Sequence, residues 1–133
     1  MISYRIFTDG GARGNPGPSA CAFVVYDGEN LIYKQGFYLG ISTNNQAEYQ
    51  GVVQALGWLS NQVTNNQLTI NFYLDSLLVV KQMKGEYKIK DEKLKILNQD
   101  ISLKITRLQK LPALAGCGQE NYKLKIGFPN VPR

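Results

Sequence analysis

The period of the hydrophobic pattern changes several times along this chain, and the order of those changes restricts the fold more than any other feature. Over residues 2–8, Ile2, Tyr4 and Ile6 alternate with Ser3, Arg5 and Phe7, a two-residue period that suits a strand. Residues 20–27 are apolar and valine-rich and predict a second strand. Asp27-Gly28 is a tight-turn signal, and residues 31–39 predict a third strand beyond it. The spacing then becomes helical. Glu48, Val52, Ala55, Leu56 and Leu59 share one stripe, with capping side chains from Thr43 to Asn45 in front. Residues 68–74 predict a strand, 76–83 a short helix that Gly85 ends, and Leu94, Leu97, Ile101, Ile105 and Leu108 one face of a longer helix. A last strand is expected over 122–128. Gly10 to Pro18, with four glycines and two prolines, reads as a loop, as does Leu111 to Asn121. The order βββαβααβ implies a mixed five-stranded sheet with helices packed on it, an α/β fold. No repeat or linker divides the chain, so residues 1–133 are expected to form a single domain.

Composition narrows the chemistry. The chain has no histidine, which excludes Ser–His and Cys–His nucleophilic catalysis and a histidine general base. Its two cysteines are too few for a structural zinc site. Cys21 reads as a core residue, Cys117 lies in a Gly-Cys-Gly loop, and their spacing gives no support to a disulfide. Catalysis must therefore use carboxylates, lysines, tyrosines or metals held by oxygen ligands. A net charge of +5, from 15 basic and 10 acidic residues, favours a polyanionic partner. No apolar run approaches a membrane span, and Met1-Ile2-Ser3-Tyr4-Arg5 turns polar at once, so a cytosolic (cytoplasmic) location away from membranes is expected.

Three carboxylates fall at the ends of elements. Each has an ordinary reading: Asp9 as a turn residue, Glu48 as the partner of Asn45 in an approximate capping box in the first helical turn, and Asp75 as an N-cap. Glu48, however, shares the apolar stripe that must face the sheet, where an unpaired charge is expensive. Ligands collect where strands end and helices begin in α/β sheets, and three acids gathered there repel one another unless cations neutralise them. Oxygen-only ligands suit Mg²⁺ or Mn²⁺. A pair of such ions roughly 3.5–4 Å apart serves phosphodiester chemistry, one activating water and one stabilising the leaving oxygen.

Four segments lie in one register: Thr8-Asp9-Gly10-Gly11-Ala12-Arg13-Gly14-Asn15-Pro16-Gly17-Pro18, Thr43-Asn44-Asn45-Gln46-Ala47-Glu48-Tyr49, Asp75-Ser76-Leu77-Leu78-Val79-Val80 and Met83-Lys84-Gly85-Glu86-Tyr87-Lys88-Ile89-Lys90. In these segments the chain resembles the ribonuclease H type 1 family, over roughly residues 1–106 and in a compact form without an expanded basic loop. The resemblance implies a ribonuclease H-like fold and hydrolysis of the RNA strand of RNA–DNA hybrids by a two-metal-ion mechanism. It assigns metal binding and catalysis to Asp9, Glu48 and Asp75, with two Mg²⁺ or Mn²⁺ ions expected alongside substrate. It implies minor-groove contacts from Asn15, Asn44 and Gln46, with Asn45 close by, because amides pair with base edges and with the 2′-OH. Gly10 and its glycine neighbours let backbone approach the strand, Thr43 is matched to a phosphate contact, and Arg13, Lys88 and Lys90 would hold phosphates electrostatically.

The resemblance weakens over 107–133, which reads as divergent or truncated. The family's fourth carboxylate lies on a C-terminal helix after a Pro-Arg-like pair, and Val131-Pro132-Arg133 stands where that strand would end. The helix and its acid are therefore expected to be absent. Asp91, Asp100, Glu120 and the Arg133 carboxylate are conceivable substitutes with no spacing in their favour. Reduced activity follows, as does an uncovered apolar patch that favours oligomerisation; no obligatory protein partner is expected. The alternative reading is a catalytically impaired hybrid-binding module. A resolvase or transposase-like relative of the same fold is disfavoured by the amides at Asn15, Asn44 and Gln46.

Overall fold

The structure, a computed structural model, describes residues 2–62, 68–114 and 124–129. Eight elements follow one another: β1 (Ile2–Ala12), β2 (Gly17–Asp27), β3 (Asn30–Ser42), α1 (Asn44–Leu59), β4 (Leu68–Tyr73), α2 (Leu77–Met83), α3 (Glu92–Leu114) and β5 (Leu124–Gly127). This is the order that the periodicity predicts. The strands form one five-stranded sheet in the order β3-β2-β1-β4-β5. β1–β2 and β2–β3 are antiparallel pairs joined by short connections, whereas β1–β4 and β4–β5 are parallel and need helical crossovers.

Alternation along the strands sorts side chains between two faces. Ile6 and Thr8 of β1, Cys21, Phe23 and Val25 of β2, and Leu68, Ile70 and Phe72 of β4 are buried on one face. Val52, Ala55, Leu56 and Leu59 of α1 close over them, and Val79, Val80, Leu94, Ile101 and Leu108 from α2 and α3 extend the same core. Cutting one such buried leucine back to alanine costs about 2–5 kcal/mol, so the α1 stripe is a main anchor of the fold. The other face carries an aromatic group. Phe7 stacks on Tyr73 with ring centroids 5.0 Å apart and meets Tyr26 edge-on at 5.8 Å. The Arg5 guanidinium lies over both Phe7 and Tyr26.

The structure departs from the sequence expectation at several boundaries. The loop predicted from Gly10 to Pro18 shrinks to residues 13–16, because β1 runs on to Ala12 and β2 starts at Gly17. Gly10 and Gly11 stay in the ladder opposite Cys21 and Ala20. Gly10 is there for contact and not for turning: a Cβ at this position would overlap the Ala47 carbonyl of α1. Only Gly14, at φ +81°, uses glycine's left-handed freedom in this loop. At the other end α3 continues to Leu114, so residues 111–114 are helical where a loop is predicted. Cys117, Glu120 and Val131-Pro132-Arg133 lie outside the described residues, and Cys21 is a buried free thiol.

Candidate active site at the edge of the sheet

The register of the parallel pair places two of the three acids. The last paired rung of β1 and β4 is Phe7 against Tyr73. Asp9 follows two residues beyond Phe7 and Asp75 two beyond Tyr73, so both stand equally far past the last rung that β1 and β4 share, Asp9 still paired with Ala22 of β2. Both are exposed. Asp75 is not the N-cap that its position suggests: Ser76 takes that part, its hydroxyl accepting from the Val79 N–H at 3.2 Å.

The third acid comes from α1, which sits close on β1. A Cβ on Gly51 would stand 3.2 Å from the Thr8 Cβ, so two small surfaces bring helix and strand together. Glu48 lies beyond the first turn, where no acid is found, and on the buried face. It is only 6% exposed. The Gly10 N–H donates to Glu48 Oε1 at 2.7 Å and to Asp9 Oδ1 at 3.0 Å, tying both carboxylates to one backbone group. Glu48 Oε2 is buried and meets no donor among the described residues. Burial, opposed by the Gly10 hydrogen bond and reinforced by the neighbouring Asp9 and Asp75, pushes the Glu48 carboxyl from 4.5 up to about 7. Among the described residues no side chain supplies the positive partner that such a buried acid needs. Burial and the Glu48 charge also raise the Cys21 thiol to about 11, which makes it inert.

The acids do not close into a finished cage. Among the described residues no three acidic, cysteine or histidine side chains are gathered tightly enough to grip one metal ion. Asp9 and Glu48 form a contacting pair, and Asp75 acts on them through its charge. The donor set nevertheless suits a hard divalent cation: carboxylate oxygens only, one of them buried without a hydrogen-bond donor. Asp91 and Asp100 have other duties. Asp91 caps α3 through the Leu94 N–H, and Asp100 pairs with Lys104 at 2.9 Å.

The candidate substrate-binding amides form a connected group beside the acids. Thr43 is the N-cap of α1: its hydroxyl accepts from the Gln46 N–H at 3.1 Å, and Gln46 Oε1 accepts from the Thr43 N–H at 2.9 Å. This capping box replaces the one expected from Asn45 and Glu48. Both pairs have the same spacing, but only the former starts at the residue with extended backbone. Asn44 Oδ1 accepts from the Ala12 N–H at 2.8 Å, and Asn15 Oδ1 accepts from the Asn44 N–H at 3.0 Å. Asn15, Asn44 and Gln46 thus all spend their carbonyl oxygens on backbone N–H groups. Among the described residues no hydrogen bond engages their amide nitrogens, which leaves them as donors for a ligand. Asn45 is half-buried nearby, and Arg13 is exposed in the β1–β2 loop. Lys88 and Lys90 stand apart from this group, exposed on the segment between α2 and α3.

One feature was invisible to pattern reading. The Tyr49 hydroxyl, fully buried, donates to Gln82 Oε1 at 2.7 Å, and Asn98 Nδ2 reaches the Gln82 carbonyl at 3.4 Å. Burial, partly offset by a hydrogen bond from Asn98, pushes the hydroxyl up to about 12. These three residues pin α1, α2 and α3 together, starting from the residue next to Glu48.

The chain is similar to known proteins. The model of the family described as RNase H matches residues 2–117. The chain belongs to the RNase H family. Among curated relatives of the chain, the Bifunctional protein Rv2228c of Mycobacterium tuberculosis is 38% identical over 87 residues, 64% of this chain and 23% of that protein. The Ribonuclease HI of Halobacterium salinarum is 36% identical over 90 residues, 67% of this chain and 44% of that one. The chain therefore spans less than half the length of either relative. A solved structure, LC11-RNase H1 in complex with an RNA/DNA hybrid, superposes with a TM-score of 0.68 at 32% identity, covering 98% of this chain and 86% of that one.

Proposed function

We propose that this RNase H hydrolyses the RNA strand of RNA–DNA hybrids, with Asp9, Glu48 and Asp75 holding divalent cations at the sheet edge. The observation that carries the reading is the buried Glu48, which has one oxygen without a donor and two further carboxylates as neighbours. A fold keeps such a repulsive group when an external cation completes it. Mg²⁺ or Mn²⁺ bound there would neutralise phosphate charge and make a bound water more acidic.

The chain's own residues supply the rest. The Gly10 N–H fixes Glu48 and Asp9 relative to each other. The amide nitrogens of Asn15, Asn44 and Gln46 suit the acceptor-rich minor groove and the oxygen of a ribose 2′-OH. Their carbonyl ends are already engaged, so the group favours acceptors over donors. Arg13, Lys88, Lys90 and the Thr43 hydroxyl would hold phosphates, and Gly10 and Asn45 line the approach. The hybrid complex of LC11-RNase H1, which shares this fold, supports the same substrate here.

The test is cleavage of a labelled hybrid by the purified chain, in Mg²⁺ and separately in Mn²⁺, beside Asp9→Asn. Cleavage by the parent and its loss in the variant are expected. A parent that binds hybrid but cuts it with neither ion would leave a hybrid-binding module, the reading favoured by the open arrangement of the acids.

A further inference from the structure

Beyond the acids and amides, the face of the sheet opposite α1 carries a continuous trough. One hollow of about 520 Å³ is lined by Asp9, Gly11, Ala22, Gly36 and Tyr38, among others. A second of about 480 Å³ shares Gly11, Ala20 and Tyr38 with the first and reaches Arg13. The register explains the floor. Asp9, Ala22 and Gly36 stand in one row across β1, β2 and β3, and Gly11, Ala20 and Tyr38 in the next. Between Asp9 and Tyr38 every position on these rows is glycine or alanine, so nothing rises to block a chain lying across them.

Tyr38 forms the rim. It is 77% exposed, the most exposed large hydrophobic side chain among the described residues. Among the described residues its ring touches no other ring or cation, whereas Phe7, Phe23, Tyr26, Tyr33, Phe37 and Tyr73 all pack against a neighbouring ring. A row spacing of about 4.8 Å per strand puts it roughly 10 Å across the sheet from the β1 acid. A cationic end at Arg13, a flat apolar floor and an unpartnered aromatic are the parts of a single-strand platform, on which bases stack while phosphates meet charge. The trough spans only β1, β2 and β3, a width suited to one strand.

We propose that this trough is a second nucleic-acid subsite, which takes unpaired nucleotides running on from the RNA strand of the hybrid, with Tyr38 stacking on a base and Arg13 holding phosphate. The proposal rests on the hydrolytic reading for its starting point at Asp9.

Fluorescence anisotropy tests it, with a blunt hybrid and with the same hybrid extended by an unpaired RNA tail at the 5′ or the 3′ end. The expected result is about ten-fold tighter binding of one tailed form, the scale of one stacked base. Tyr38→Ala should bring that ratio close to one, while Tyr38→Phe should keep most of it. Thermal melting confirms that both variants fold, as an exposed side chain allows. A ratio near one in the parent, a ratio that survives Tyr38→Ala, or the same gain from a DNA-strand tail alone would overturn the proposal. Failure to cut the blunt hybrid sinks the hydrolytic reading instead, and a Tyr38-dependent tail effect in that case upholds the subsite on its own.

Discussion

At the scale of single residues, Glu48 is the costliest feature of the molecule. Its carboxyl holds a proton up to about pH 7, whereas an unfolded glutamate releases it near 4.5. Between those values the folded state binds the proton more firmly than the unfolded one, so stability falls as pH rises through this window. Glu48→Gln removes the titration. In chelator-treated protein at pH 8 the variant should melt about 2–5 °C higher than the parent, and the two should converge near pH 4. A variant that melts lower at pH 8 would contradict this account. The three acids were legible in the sequence because Glu48 broke the logic of its own apolar stripe and the other two sat at strand ends. Their partners were not. That Ser76, and not Asp75, caps α2 depends on backbone angles that no side-chain pattern records.

At the scale of elements, the N-terminus of α1 does two things with the same atoms. Thr43 and Gln46 close a capping box, and the proposed function assigns the same residues to the substrate. Thr43→Ala should cost about 1 kcal/mol in urea unfolding and weaken hybrid binding as well. Behind it, Tyr49→Phe would leave Gln82 Oε1 buried without its donor, a loss of about 1–3 kcal/mol measurable in the same titration. Element order and type followed from periodicity, because a period of two and a period of three to four residues cannot be confused over long stretches. Boundaries were harder. Gly10 and Gly11 looked like loop residues by composition, yet both remain in the sheet, paired with Cys21 and Ala20, and α1 packs directly on Gly10. The Tyr49–Gln82–Asn98 set escaped for a related reason. A tyrosine on a buried stripe reads like a leucine until its hydroxyl is seen to have a partner on another helix.

At the scale of the whole molecule, the excess of positive charge predicts a salt-dependent affinity. A plot of log affinity for hybrid against log salt should be linear and steep, and Lys88→Ala and Lys90→Ala should each reduce the slope by about one if each contacts a phosphate. An unchanged slope would return those lysines to the solvent. The sheet register carries a different kind of consequence. Because Asp9 and Asp75 are counted off from one shared rung, the centre is sensitive to the number of residues as well as to their kind. One extra residue after Tyr73 would leave every core contact of β4 in place and still swing Asp75 to the far side of the strand. Lineages of this chain can thus drift in spelling along β1 and β4, but an inserted or deleted letter between rung and acid silences the centre in a protein that still folds.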